Sequence, residues 1–250
     1  MADSDGGTHE ITTEDLELVA ADGNRFAATI ARAVDPQGPA VVILPDVRGL
    51  HQFYEDLASR FARQGYDAIA FDYFGRSAGV GRRDDEFPYM DHVPLCTVDG
   101  ISADVRTCVE QLRGVEGQAE RNIFTMGFCF GGGNSWIMAE TVEGLSGVVG
   151  LYGHPTREQR DGTPAVIDRV QDFGIPLLGL LGGADQGIPA EEVAKFDEAL
   201  TKVGIEHKLV TYPGAPHSFF DRHYEEHPDA AEDAWKRVLD FVWGGNYWSS

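Results

Sequence analysis

The chain has few cysteines, fewer lysines than its size would suggest, and no long apolar run. Its three cysteines, Cys96, Cys108 and Cys129, are an odd number without C-x-x-C spacing. That argues against a disulfide framework and against a cysteine zinc site. Only four of the 20 basic residues are lysine (Lys195, Lys202, Lys208 and Lys236), which leaves sixteen arginines. Against these stand 41 acidic residues, for a formal charge of −21. A polyanion would be repelled over most of such a surface, so nucleic acid is not an expected partner. The composition fits an adaptation to high salt and an ordinary acidic enzyme equally well. No segment approaches the length of a membrane-spanning helix. Met1 to Glu10 is acidic and lacks the basic-then-apolar pattern of a secretory leader. The expectation is a cytoplasmic protein with no membrane partner. Internal repeats and low-complexity blocks are also missing, and no linker marks a domain boundary.

The 250 residues, 42% of them hydrophobic, can bury a large core. Residues 1–8 read as a disordered tail, and 9–250 as one α/β domain. Glu10 to Val19 and Asn24 to Ala33 flank Ala21-Asp22-Gly23, the pattern of an antiparallel hairpin. After Pro39 the grammar changes to alternation. Apolar runs at 40–44, 66–73, 122–126, 146–152, 176–181 and 206–211 read as strands. Periodic stretches at 51–64, 99–113, 132–140, 190–203 and 229–242 read as helices. Such alternation predicts a mostly parallel central sheet flanked by helices, with ligands bound beyond the carboxyl ends of the strands.

One strand end stands out. Met126-Gly127-Phe128-Cys129-Phe130-Gly131-Gly132-Gly133 carries a cysteine between two glycines, where a strand passes into a helix. It is similar to the G-x-S-x-G elbow of α/β-hydrolases, with a thiol in place of the hydroxyl. Side chains at Gly127 and Gly131 would collide in so sharp a turn. A thiol at a helix N-terminus with a nearby base is a strong nucleophile. Two later strand ends offer the partners. Gly182-Gly183-Ala184-Asp185 closes one strand with an acid, and Gly214-Ala215-Pro216-His217-Ser218 places a histidine in the loop after the next. Nucleophile, acid and histidine therefore follow the α/β-hydrolase order. Asp185 also suits the cap of the following helix, and Cys108 reads as a small buried hydrophobe.

These motifs, with the segment Gly214 to Phe220, resemble the dienelactone hydrolase family over about residues 41–242. The resemblance implies an α/β-hydrolase fold of about eight strands and a Cys129–His217–Asp185 triad. It further implies a thioester acyl-enzyme and no cofactor or metal. The substrate would be a small lactone or ester bearing a carboxylate, and the protein a monomer or small homo-oligomer. Backbone N–H groups of Val47 and Phe130 would form the oxyanion site. The family has a thiol-activating glutamate where this chain has the shorter Asp46, so either Asp46 or His217 alone activates Cys129; a loop cap is the other reading of Asp46. An arginine that holds the substrate carboxylate corresponds to Arg76. A second family arginine falls at Asp221, with Arg222 one residue later. Both arginines also fit surface ion pairs.

Around these, Tyr89, Asp91 and His92 in the long 75–98 segment are cleft candidates, and Tyr152 and Phe220 are candidates for an apolar pocket. Trp136 reads as core. His223-Tyr224-Glu225-Glu226-His227 matches the H-x-x-E-H string of inverted zincins, but Pro228 disfavours a helical His227. The leading expectation is a dienelactone hydrolase-like enzyme. The alternatives are a broader carboxylesterase or thioesterase on the same triad, or a binding or redox-sensing protein that kept only the fold.

Overall fold

The computed structural model describes residues 9–36, 38–115 and 117–244; the tail expected at 1–8 lies outside them. Eight strands form one sheet: β1 (Ile11–Val19), β2 (Arg25–Ala33), β3 (Ala40–Leu44), β4 (Asp67–Phe71), β5 (Ile123–Phe128), β6 (Gly147–Leu151), β7 (Leu177–Gly182) and β8 (His207–Tyr212). Their order is β1-β2-β4-β3-β5-β6-β7-β8. The expected hairpin is there, β1 against β2, and β2 joins β4 antiparallel. From β4 to β8 every pairing is parallel. The helices are α1 (Gln52–Arg63), α2 (Gly75–Ala78), α3 (Tyr89–His92), α4 (Val98–Arg113), α5 (Phe130–Thr141), α6 (Ala190–Val203) and α7 (Pro228–Trp243).

Strand β5 shows how the layers are arranged. Successive side chains of a strand point to opposite faces. The Phe124 ring packs on Phe241 of α7, and Phe128 packs on Tyr54 of α1. Thr125, between them, hydrogen-bonds Ser135 of α5 at 2.7 Å. Helices α1 and α7 thus cover one face and α5 the other. Phe61 on Trp235 joins α1 to α7, and Trp136 on Phe196 joins α5 to α6. Strands β3, β5, β6 and β7 are buried at every residue. Burial on both faces explains why they read as unbroken apolar runs instead of alternating ones.

One expectation changes in detail. The 66–73 run yields a strand only to Phe71, because the Asp72 carboxylate accepts the Phe74 N–H at 2.9 Å and turns the chain. The crossover from β6 to β7 uses a 3-10 segment, Val166–Asp172, in place of an α-helix. Because β3 and β5 to β8 are parallel, their C-terminal loops meet at one end of the sheet. Those loops carry Asp46, Cys129, Tyr152, Asp185 and His217.

Candidate active site

Cys129 sits between β5 and α5 with φ 54° and ψ −110°, a conformation uncommon outside glycine. Among the described residues, the non-glycine residues at positive φ are Cys129, Tyr152 and Ser218. All three are in or beside the site, each strained by about 1–3 kcal/mol. The flanking glycines permit the bend. A Cβ at Gly127 would lie 1.9 Å from the Gly131 carbonyl oxygen, and one at Gly131 would lie 2.2 Å from those of Leu44 and Pro45. The Cys129 N–H donates to Leu151 O at 3.0 Å, which pins the elbow to β6.

His217 Nδ1 lies 2.6 Å from Asp185 Oδ2. That contact leaves Nε2 as the ring nitrogen free for a second partner, and Cys129 lies near enough to act on the ring's protonation. Asp185 is not a helix cap: its second oxygen accepts the Gly187 N–H at 2.8 Å, and Pro189 stands at the cap of α6. Burial pulls the His217 pKa down, but the hydrogen bonds and charges of Asp185 and Cys129 overcome it and raise the value from 6.5 to about 10. Burial acts to raise Asp185, yet the His217 contact and two backbone N–H groups hold it below the usual carboxylate value.

The thiol and imidazole open into a cleft of about 340 Å³. Val47, Phe130, Tyr152, His154, Arg157 and Arg160 contribute to its wall. The Phe130 N–H is the first of α5 and has no acceptor within the helix. In the turn after β3, the Asp46 N–H donates to Tyr54 Oη, and the Arg48 and Gly49 N–H groups donate back to Asp46. Only the Val47 N–H of that turn lacks a protein acceptor among the described residues. The residues that carry these two amides, Val47 and Phe130, line the same cleft as Cys129.

Other sequence-predicted residues are placed differently. Arg76 is not in the cleft. It bridges Asp22 at 2.8 Å and the buried Asp104 at 2.6 Å, near the turn of the β1–β2 hairpin. The family pattern misled here because α2 faces that hairpin turn. Phe220 is also not a pocket residue: it is fully buried, with its ring on Phe128 and Trp235. Tyr89 and His92 lie on α3 outside the cleft wall, His92 stacked on Phe87, and Asp91 is exposed. Tyr152 does line the cleft, its ring 5.0 Å from that of His217.

Asp46 is buried, and both its oxygens are taken by the Arg48 guanidinium at 2.8–3.1 Å. No hydrogen bond joins it to Cys129 among the described residues. Half-exposed Arg222 reaches Asp46 at 3.6 Å. Trp136 is core, and its indole N–H donates to Leu178 O at 3.2 Å. The His223-to-His227 string forms turns, His223 pairing with Glu226, and no metal-binding cluster occurs among the described residues.

Sequence reasoning assigned no role to Arg48, nor to the cleft wall at 154–160. The signal for the wall was the length of the 152–176 connection, which has no helical period and carries several charges. The far half of the Arg48 bridge had none, since Asp221 lies 173 residues away.

The model of the dienelactone hydrolase family matches residues 26–243. An Escherichia coli K12 protein named "Putative carboxymethylenebutenolidase" is 30% identical over 231 residues, which cover 88% of this chain and 82% of that protein. A crystal structure titled "Putative Dienelactone Hydrolase", from Klebsiella pneumoniae, superposes with a TM-score of 0.83 at 27% identity, covering 94% of this chain and 98% of that one. An esterase of Pyrococcus furiosus shares the fold, with a TM-score of 0.71 at 18% identity over 94% of this chain and 92% of its own. No described helix is long and apolar enough to cross a membrane. With a family model spanning almost the whole chain, and the sheet and elbow described above, this protein belongs to the dienelactone hydrolase family, a family of hydrolases.

Proposed function

We propose that the protein hydrolyses the ester or lactone bond of a small molecule, with Cys129 as nucleophile. The observation that carries this reading is the Asp185–His217 hydrogen bond in the same cleft wall as Cys129, at its elbow between β5 and α5. His217 takes the thiol proton, and Sγ attacks the carbonyl carbon. The carbonyl electrons move to oxygen, and the Val47 and Phe130 N–H groups stabilise that oxyanion. Collapse breaks the carbon–oxygen bond, and His217 returns the proton to the leaving oxygen. The product is a thioester on Cys129. Water, deprotonated by His217, then attacks the thioester and releases the carboxylic acid and the thiol. Asp185 keeps the imidazole in the tautomer and orientation that both steps need.

With both Asp46 oxygens on Arg48, activation of the thiol falls to His217. Arg76 is likewise engaged, so a substrate carboxylate would meet Arg157 and Arg160 on the cleft wall. A carboxylate-bearing enol-lactone is the substrate that combines this wall with the activity named for the relatives.

The test is turnover of a lactone and a p-nitrophenyl ester by wild type and Cys129→Ala, with mass spectrometry of the quenched enzyme. Expected are loss of turnover by about 10⁴-fold or more in the variant, the scale of removing a triad member, and one acyl group on wild-type Cys129. Equal turnover in Cys129→Ala sinks the nucleophile. No turnover by wild type, with Cys129 still alkylated by iodoacetamide, would instead favour a redox-sensing protein.

A further inference from the structure

Four side chains behind the oxyanion turn form one buried network. Asp46 and Asp221 are both buried carboxylates, their side chains 3% and 2% exposed. They share one cation. Arg48 holds Asp46 through Nε at 3.0 Å and Nη2 at 2.8 Å, and the same Nη2 reaches Asp221 at 3.1 Å. The second Asp221 oxygen accepts the Tyr152 hydroxyl at 2.7 Å. Tyr152 is the strained residue after β6 whose ring lies 5.0 Å from that of His217.

The connectivity of this network matters more than its charge. Asp46 belongs to the loop after β3, Tyr152 to the loop after β6, and Asp221 to the loop after β8, four residues beyond His217. Arg48 and Asp46 flank Val47, and the Arg48 N–H also closes the turn on Asp46 Oδ1 at 2.8 Å. Val47 is therefore held between two anchored neighbours. Its amide can shift relative to His217 only if Arg48 releases Asp46 or Asp221. A planar guanidinium suits this task, because it fixes direction as well as distance.

We propose that Arg48 is a positioning residue: by bridging Asp46 and Asp221 it ties the oxyanion turn to the histidine loop. It thereby sets where the Val47 N–H stands relative to the thiol. Arg48 touches neither substrate nor thiol. The inference rests on the reading of Cys129 as nucleophile and of Val47 as oxyanion donor.

Two reactions of the same thiol separate this role from a merely structural one. Alkylation by iodoacetamide needs Cys129 and His217 but no oxyanion site; ester turnover needs all three. In Arg48→Met, kcat for a p-nitrophenyl ester is expected to fall about 10- to 100-fold, less than outright loss of an oxyanion donor. KM and the alkylation rate should stay within about two-fold, the range in which transition-state binding alone has changed. Unchanged kcat overturns the proposal, as does an alkylation rate that falls in proportion to kcat. Should Arg48→Met fail to fold, Asp221→Asn keeps the size and the Tyr152 contact while weakening the bridge. It should show the same split at about three- to ten-fold, the scale of one ordinary hydrogen bond; no split overturns the proposal. A wrong nucleophile is told apart by Cys129→Ala, which would then keep full turnover.

Discussion

Two arginines in this protein each bridge a pair of aspartates, and they differ in what those aspartates belong to. Arg76 joins Asp22, in the hairpin turn, to Asp104 on α4. Arg48 joins Asp46, in the turn after β3, to Asp221, four residues beyond His217. One arginine fastens the edge of the sheet, and the other fastens two loops of the cleft. Asp22 is 46% exposed, so Arg76 works half in water, whereas both Arg48 partners are buried. The motif is the same in both places, and its consequences follow from where the sheet puts it.

The largest expected effect is on stability and catalysis together. Arg48→Met takes from two buried carboxylates the cation they share, leaving Asp46 only the half-exposed Arg222 at 3.6 Å, and should lower the unfolding free energy by about 3–5 kcal/mol, with the loss of kcat described above. Arg76→Met leaves Asp104 still holding the Asn24 amide at 3.0 Å. Its cost should fall at the lower end, about 3 kcal/mol, with kcat and KM for a carboxylate-bearing ester within about two-fold, because no interaction made in the cleft is removed. Urea unfolding beside steady-state kinetics measures both. A large KM rise in Arg76→Met would restore that arginine to the substrate site and break the comparison.

A third charged pair, His217 with Asp185, sharpens the comparison because it titrates. The folded-state value of His217 is raised from 6.5 to about 10, so its contribution to stability is complete below pH 6.5 and is lost as pH rises through about 10. Asp185 is held below 3.8; its contribution is present above pH 3.8 and is lost as pH falls through the lowered folded value. The difference in Tm between wild type and His217→Ala should therefore be largest between pH 3.8 and 6.5 and shrink on the way to pH 10. A difference that grows over that upper range would contradict the His217–Asp185 ion pair. The two arginine bridges, by contrast, should show no such alkaline decline.

The smallest effect belongs to the exposed arginines of the cleft wall. Arg157→Ala or Arg160→Ala should raise KM for an anionic ester about two- to five-fold, the size of one solvent-exposed ion pair. A neutral ester should be unaffected, and added salt should erase the difference. Equal changes for both esters would remove the wall as the carboxylate site.

Much of the fold was legible because its signals are local. The β5 run, the two glycines of the elbow and the strand-end acid and histidine each depend on neighbours a few residues away. Backbone sterics at Gly127 and Gly131 hold in any fold that bends there. Where a local rule competed with another, the reading slipped: Asp72 turned the chain before Tyr73 could extend β4. Long charged side chains were less legible. Arg76 and Arg48 both sit just after parallel strands, and nothing beside either one in sequence reveals that its carboxylate partner is Asp104 or Asp221.

The amino-acid sequence by itself determined the alternating strands and helices, the sharp bend at Cys129 and the order of thiol, acid and imidazole. These follow from hydrophobic period and from the backbone conformations that glycine permits. Only the tertiary structure decided which arginines line the cleft and which cation Asp46 holds. It alone also showed that the 154–160 segment, not the 75–98 segment, walls the cleft. The physical reason is reach. A guanidinium finds its carboxylate across the ends of strands that are far apart in the chain, and the sheet order that brings them together is a property of the whole core.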